Sequence, residues 1–339
     1  MKNSSNSNPA LRIALLATAS LVVAGAQANT IFSVDTVQDL VDSDIHDGAC
    51  ATAANTCSLR AAIMQANHLD APGFRRIVLP AGTYTLTLAP GVGADDGEEK
   101  GDLNITATAP GIEIAGASAA NTIIDGNQLD GVIRIDAAGV ASISGVKIRN
   151  GYRISNGSGG GGIDNRGTLD IRDSAIESNR VESGCCRGGG IASTGVLVML
   201  RTTVRSNSAY QGGGMFATGH ANVYDSTFDD NTASFGGAIY TYGAAPANQL
   251  RIANGTVSGN HAMHNGGGIL NSGTVFLVNS TLSNNDAADN GGGFFNLGNA
   301  FFYNASVIGN DSDHDHDENG GIGGGVYAYP GARLVVVNS

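Results

Sequence analysis

The stretch GGGMFATGHANVYDSTFDDN, residues 212–231, decides the fold, because it is one copy of a unit that recurs along the chain. A Gly-Gly-Gly/Ala motif followed by an apolar residue ends at Gly162, Gly190, Gly214, Ala238, Gly268, Gly293 and Gly325. An apolar-x-x-Asn motif follows each of the first six, ending at Asn179, Asn207, Asn231, Asn260, Asn285 and Asn310. The step from glycine motif to Asn is 17, 17, 17, 22, 17 and 17 residues, while the return to the next glycine motif is 11, 7, 7, 8, 8 and 15. Each unit therefore has a rigid part and an arc that accepts insertions. The basal period is about 24 residues, in the range of stacked repeat architectures.

Within the rigid part the apolar residues form columns. One follows the glycines (Ile191, Met215, Ile239). A pair two apart comes next (Leu197/Met199, Ala221/Val223, Leu250/Ile252). One stands three before each Asn (Val204, Phe228, Val257). A spacing of two is strand periodicity, so each unit offers three short strands separated by turns. Strands this short cannot bury a core within one unit, but stacked copies can pair and share one. The expected fold is all-β: a single-stranded right-handed parallel β-helix of about ten coils, a rod on the order of 50 Å long at one strand spacing per coil. The Asn column is expected to stack inside the turns, each amide bonded to the next coil. Residues 111–150 carry the same style less regularly and are read as the first coils, so the β-helix is placed at 111–339. The last unit breaks off at Val337-Asn338-Ser339, where the earlier copy Val278-Asn279-Ser280 runs on to Asn285. This points to truncation mid-coil and to end-to-end self-association.

The composition agrees. The 339 residues include 50 glycines, about twice the usual share, with 42% hydrophobic and only 14% charged residues. That excludes an acidic disordered tail, which needs more charge and less apolar surface. The net charge of -12 argues against nucleic-acid binding, since phosphate backbones are repelled. Residues 1–28 read as a signal peptide. Lys2 and Arg12 precede the 11-residue apolar run Ile13–Val23, too short to span a bilayer, and Ala26-Gln27-Ala28 is a cleavage pattern. Export permits disulfides. Cys50 and Cys57 close a short loop and are expected to pair. For the adjacent Cys185 and Cys186, a strained vicinal ring, two free thiols and an intermolecular bridge stay open.

Residues 29–110 are read as an N-terminal capping region. In CSLRAAIMQANH, 57–68, Ser58 is a good N-cap and Leu59, Ala62, Ile63 and Ala66 share one helical face. Such a helix would cover the open end of the first coil.

Here the chain resembles a known family. Cys57-Ser58-Leu59-Arg60-Ala61-Ala62-Ile63 is similar to the CSLREA motif of bacterial exported β-helix proteins. Leu79–Tyr84, Gly101–Ile105 and Ile123–Gly126 resemble the segments that usually follow it. The glycine and Asn motifs are similar to the GGA-[ILV] and FxxN repeats of polymorphic outer membrane proteins; Gly236-Gly237-Ala238-Ile239 and Phe228-Asp229-Asp230-Asn231 are the best copies. The resemblance covers nearly all of the chain after residue 28. It implies a surface-exposed or secreted, adhesin-like protein. Ala61 replaces the motif's Glu at the third helical position, so half of a capping box is missing.

Catalysis is the rival reading, because polysaccharide lyases and hydrolases share the parallel β-helix, and fold alone does not decide function. The paired Asp, Gly-His-Gly and Arg-Ile-Lys patterns of such a hydrolase are absent. Arg201 and Arg205 near Asp225 form too loose a pattern for a lyase. No catalytic residue and no cofactor is therefore expected. The sharpest chemical feature is the insertion Asp311-Ser312-Asp313-His314-Asp315-His316-Asp317-Glu318. It is not an EF-hand, because its sixth position is His316 rather than Gly and its twelfth is Ile322 rather than Glu. Its carboxylates and imidazoles offer weak divalent-cation binding at most. The expected function is binding or display of an unidentified surface ligand, glycan or protein, with no membrane span. The presenting corner is the Asn-to-glycine arc, which includes 180–187 and 311–322.

Overall fold

The computed structural model describes residues 29–70, 73–91, 97–154, 159–182, 187–243, 249–313 and 321–339. The signal-peptide reading, Cys185, Cys186, His314, Asp315, His316 and Asp317 lie outside them. The described residues form a parallel β-solenoid with one short helix, Leu59–His68. Among them, four all-parallel sheets of eleven, nine, nine and seven strands run along the stack. Seven successive turns, from Ile133 to Ser312, carry four strands each in constant order.

One turn shows the pattern. Met215–Ala217 follows the glycines and belongs to what we term the glycine sheet. His220–Tyr224 belongs to the eleven-stranded broad sheet. Thr227–Asp229 lies in the Asn sheet, just before Asn231. Thr232–Phe235 lies in the corner sheet. The three apolar columns fill the first three sheets. Leu197, Ala221, Leu250, Val275 and Ala300 lie in register across the broad sheet, and all are 0–1% exposed.

The fourth strand differs from the three-strand expectation. The arc read as a loop is itself paired, Ser208 with Thr232, Thr232 with His261 and His261 with Asp286. Its inward column is Ala233, Ala262 and Ala287, small side chains that leave little apolar periodicity to read.

The glycine-to-Asn spacing has a physical cause. A Cβ on Gly162 would stand 2.9 Å from Nδ2 of Asn179, and one on Gly190 3.1 Å from Asn207. The third glycine of each motif thus packs against the Asn that ends the same rigid part. The first glycine of the motif sets the turn instead. Gly212, at φ +64, bends the chain so tightly that a Cβ would meet the Met215 carbonyl oxygen at 2.2 Å.

The sheets begin inside 29–110 rather than at 111. Thr30–Ser33 pairs with Arg75–Leu79, which pairs with Ile112–Gly116, and Leu103–Ile105 pairs with Ile133–Ile135. The helix packs on these strands, with Leu59, Ala62, Ile63 and Ala66 in the common core. Ser58 Oγ accepts the Ala61 N–H at 3.0 Å and donates to the Leu40 carbonyl at 2.5 Å. Ala61 is fully buried, so its methyl group fills a site with no solvent for a carboxylate. Cys50 and Cys57 are joined by a disulfide with Cα atoms 5.1 Å apart.

Candidate functional site

The outer face of the corner sheet is where the sequence places display. A groove of about 370 Å³ runs over it, lined by Arg180, Glu182, Ser208, Tyr210, Thr232 and Met263 among others. These side chains point outward because the alternate positions, Val181, Ala233 and Ala262, are buried. Arg180 pairs with Glu182 at 2.5 Å, and the Tyr152 hydroxyl donates to the other Glu182 oxygen at 2.5 Å. That hydrogen bond pushes the Tyr152 phenol above its ordinary range. At the far end Phe235 stacks on His264 at 4.9 Å and meets Tyr210 edge-on at 5.6 Å. His261 pairs with Asp286, and His264 with Asp289 at 3.2 Å. The groove is shallow and mixed in character, with hydroxyls, one ion pair and exposed Met263. It suits contact with a surface more than enclosure of a small molecule.

Asp311 of the acidic insertion lies in register with Asp286, at the last strand of the corner sheet, and Asp313 follows it. Among the described residues no group of three or more His, Cys, Asp or Glu side chains is placed to hold a metal ion.

A second cluster was not read from the sequence. Asp102, Asp130, Arg134, Arg153, Asp164 and Arg166 meet where the first turns of the glycine sheet adjoin the corner. Arg153 pairs with Asp102 and stands 3.6 Å from Asp130, and Arg166 pairs with Asp164 at 2.8 Å. Burial pushes the Asp102 carboxyl up to about 6, against the pull of Arg153. Burial raises Asp164 as well, opposed by Arg166 and Arg153. Burial works to lower Arg153, but the surrounding carboxylates outweigh it and hold the guanidinium above its ordinary value. A carboxyl near 6 has the acidity of a general acid. Yet the Asp102 and Asp164 side chains are 8% and 1% exposed, too closed to meet a polymer. The only sequence signal was a polar residue on a strand otherwise apolar on both sides, as in Ile133-Arg134-Ile135.

The residues weighed for a lyase are engaged elsewhere. Arg201 pairs with Asp173 at 2.6 Å, and Arg205 with Glu177 at 2.9 Å. Burial pushes Glu177 up, but Lys147 and Arg205 together outweigh it and hold the carboxyl below its usual range. The Asn column forms an internal ladder: Asn179, Asn207, Asn231, Asn260, Asn285 and Asn310 are joined amide to amide at 2.8–3.0 Å. A second internal ladder, unread in the sequence, joins Thr241, Asn271 and Asn296 at 2.8 Å.

No family model matches the chain, and no curated protein or solved structure matches it. No helix among the described residues is long and apolar enough to cross a membrane.

Proposed function

We propose that this chain is an exported right-handed parallel β-helix of about ten coils, capped at its N-terminal end by the helix Leu59–His68, that works by binding or display. Its location is extracellular or at the outer membrane, and its role is adhesin-like. The observation that carries the reading is the corner sheet. Its connecting arcs change length from turn to turn, yet its strands keep register and present a polar, aromatic-edged outer face. A rigid scaffold with one adaptable face is how binding surfaces are commonly built. The signal-like residues 1–28 and the resemblance of 57–63 to an exported family support the location. The ligand class is a surface glycan or protein.

Beads coated with residues 29–339 are expected to adhere to a printed glycan panel or to cultured cells. Replacing Arg180 and Tyr210 together by Ala should cut adhesion at least fivefold. Polygalacturonate, alginate and chondroitin incubated with the protein and calcium should stay intact. Release of unsaturated or reducing ends would replace this reading with the rival one, a polysaccharide lyase or hydrolase.

A further inference from the structure

The broad sheet has an outer face of its own, and its cations are distributed unevenly. Near the N-terminal end each arginine there has a carboxylate: Arg76 stands 3.5 Å from Glu113, and Arg172 pairs with Asp170. From the strand His220–Tyr224 to the strand Arg333–Val337 the pattern changes. No outward position of these five strands is Asp or Glu, in a chain of net charge -12. Arg251 is exposed and has neither an ion pair nor a hydrogen bond among the described residues. It stands beside a cavity of about 310 Å³ that it lines together with His220, Asn222, Gln249 and Phe276. Phe276 closes one side of this cavity. Its ring is stacked on Phe301 at 4.9 Å and 11°, and Arg333 lies over the Phe301 ring at 5.1 Å.

The chemistry of this lining selects its occupant. A guanidinium without a partner takes a carboxylate through two parallel hydrogen bonds. The amides of Asn222 and Gln249 both donate and accept, which suits hydroxyl groups. A phenyl wall suits the flat C–H face of a pyranose. A carboxylate, hydroxyls and an apolar flat face occur together in a uronic acid. We propose that this face binds a carboxylated glycan, a polyuronate lying along the stack. Arg333 is three strands beyond Arg251, which places a second cation about 14 Å further on at the usual strand spacing. A polymer with a carboxylate on every sugar reaches both. The site is separate from the corner groove.

The test is titration calorimetry with a galacturonate hexamer on residues 29–339. Binding is expected, and Arg251→Ala and Phe276→Ala should each weaken it tenfold or more, Arg251→Ala with no change in melting temperature. Arg251→Lys should recover part of the loss. Arg333→Ala should weaken the hexamer and leave the dimer unaffected. A neutral cello-hexamer should not bind. The proposal is overturned if neither galacturonate nor alginate hexamers bind at millimolar concentration, if Arg251→Ala leaves the affinity unchanged, or if dextran sulfate binds as tightly. Any of these results leaves the corner face untouched, because that face is probed through Arg180 and Tyr210.

Discussion

One carbonyl oxygen of Asn207 accepts two hydrogen bonds from Asn179 in the turn below, from its backbone N–H and from its side-chain amide, each 3.0 Å long. The same double contact joins Asn207 to Asn231 and Asn231 to Asn260. The ladder thus satisfies a buried backbone N–H at every step, where the chain leaves one sheet for the next. A buried N–H without a partner costs about 1–3 kcal/mol, and no water reaches these sites to replace the bond: Asn231, Asn260 and Asn285 are 0% exposed.

Asn231→Ala removes the acceptor for both Asn207 bonds and the donor to the Val204 carbonyl. The expected loss is about 3–5 kcal/mol. Because a solenoid is stabilised turn by turn, hydrogen exchange should quicken first in the turns flanking 231. Asn279 belongs to an exposed ladder, bonded to Asn254 at 3.4 Å and to Asn304 at 3.0 Å. Asn279→Gly keeps its positive φ and should cost less than about 1 kcal/mol. Urea denaturation of the two variants checks this; equal losses would mean the buried ladder carries no special share of the stability.

What was legible follows from repetition. Ile191, Leu197, Met199 and Val204 recur at fixed offsets because each stacks on its own copy, so the period writes the pairing into the chain. The corner strands were illegible for the opposite reason. Ala262 and Ala287 are small, the strands Ser208–Gln211 and His261–Ala262 are short, and the arcs that contain them vary in length. Arg251 was also missed: a single exposed cation has no periodic signature, and its isolation shows only when its neighbours across strands are known. Arg60 and Asp39 meet across 21 residues of non-repeating chain, a contact that no spacing rule anticipates.

That pair carries the next prediction. Arg60 lies in the helix with its side chain 1% exposed. Its Nε donates to Asp39 at 2.7 Å, and its other nitrogens donate to the carbonyls of Glu98, Gly101 and Asp102. Asp39 also accepts the backbone N–H groups of Thr87 and Leu88. One side chain of the Cys-Ser-Leu-Arg segment therefore ties three non-repeating stretches to the stack. Removing one partner of a buried pair leaves the other uncompensated, at about 3–5 kcal/mol. Arg60→Ala and Asp39→Ala should each lose that much in urea unfolding. A loss under about 1 kcal/mol in both would show that the tie is dispensable.

Asp102 supplies a pH dependence of definite sign. Its folded pKa of about 6 lies above the ordinary 3.8, so the folded chain holds this proton more tightly than the unfolded chain. The contribution is complete below about pH 4 and is lost as pH rises through 6. Two pH units correspond to roughly 3 kcal/mol. The stability of the wild type relative to Asp102→Asn should fall by that order between pH 4 and 7, steadily from pH 4 to 6 and little beyond. Parallel stability curves for the two proteins would contradict this account of the buried cluster.

Arg333–Val337 is the outermost described strand of the broad sheet. Among the described residues Arg333–Val337 pairs on one side only, with Asn299–Tyr303. Val336 is inward by alternation, yet it is 53% exposed, whereas the matching Phe302 one strand below is 1% exposed. Ser306–Ile308, Asp311–Ser312 and Val326–Ala328 are the outermost described strands of their sheets at the same end. Unpaired strand edges beside exposed apolar side chains are a template for another chain. At the opposite end the helix Leu59–His68 packs on the first strands, so the two ends are unequal. Residues 29–339 prepared as an isolated piece should therefore associate through this edge, with a mass that rises with concentration in light scattering. Leu334→Lys with Val336→Lys places two charges on the open core and should hold the chain monomeric. A wild-type chain that stays monomeric at high concentration, or a charged variant that associates equally, would place the contact elsewhere.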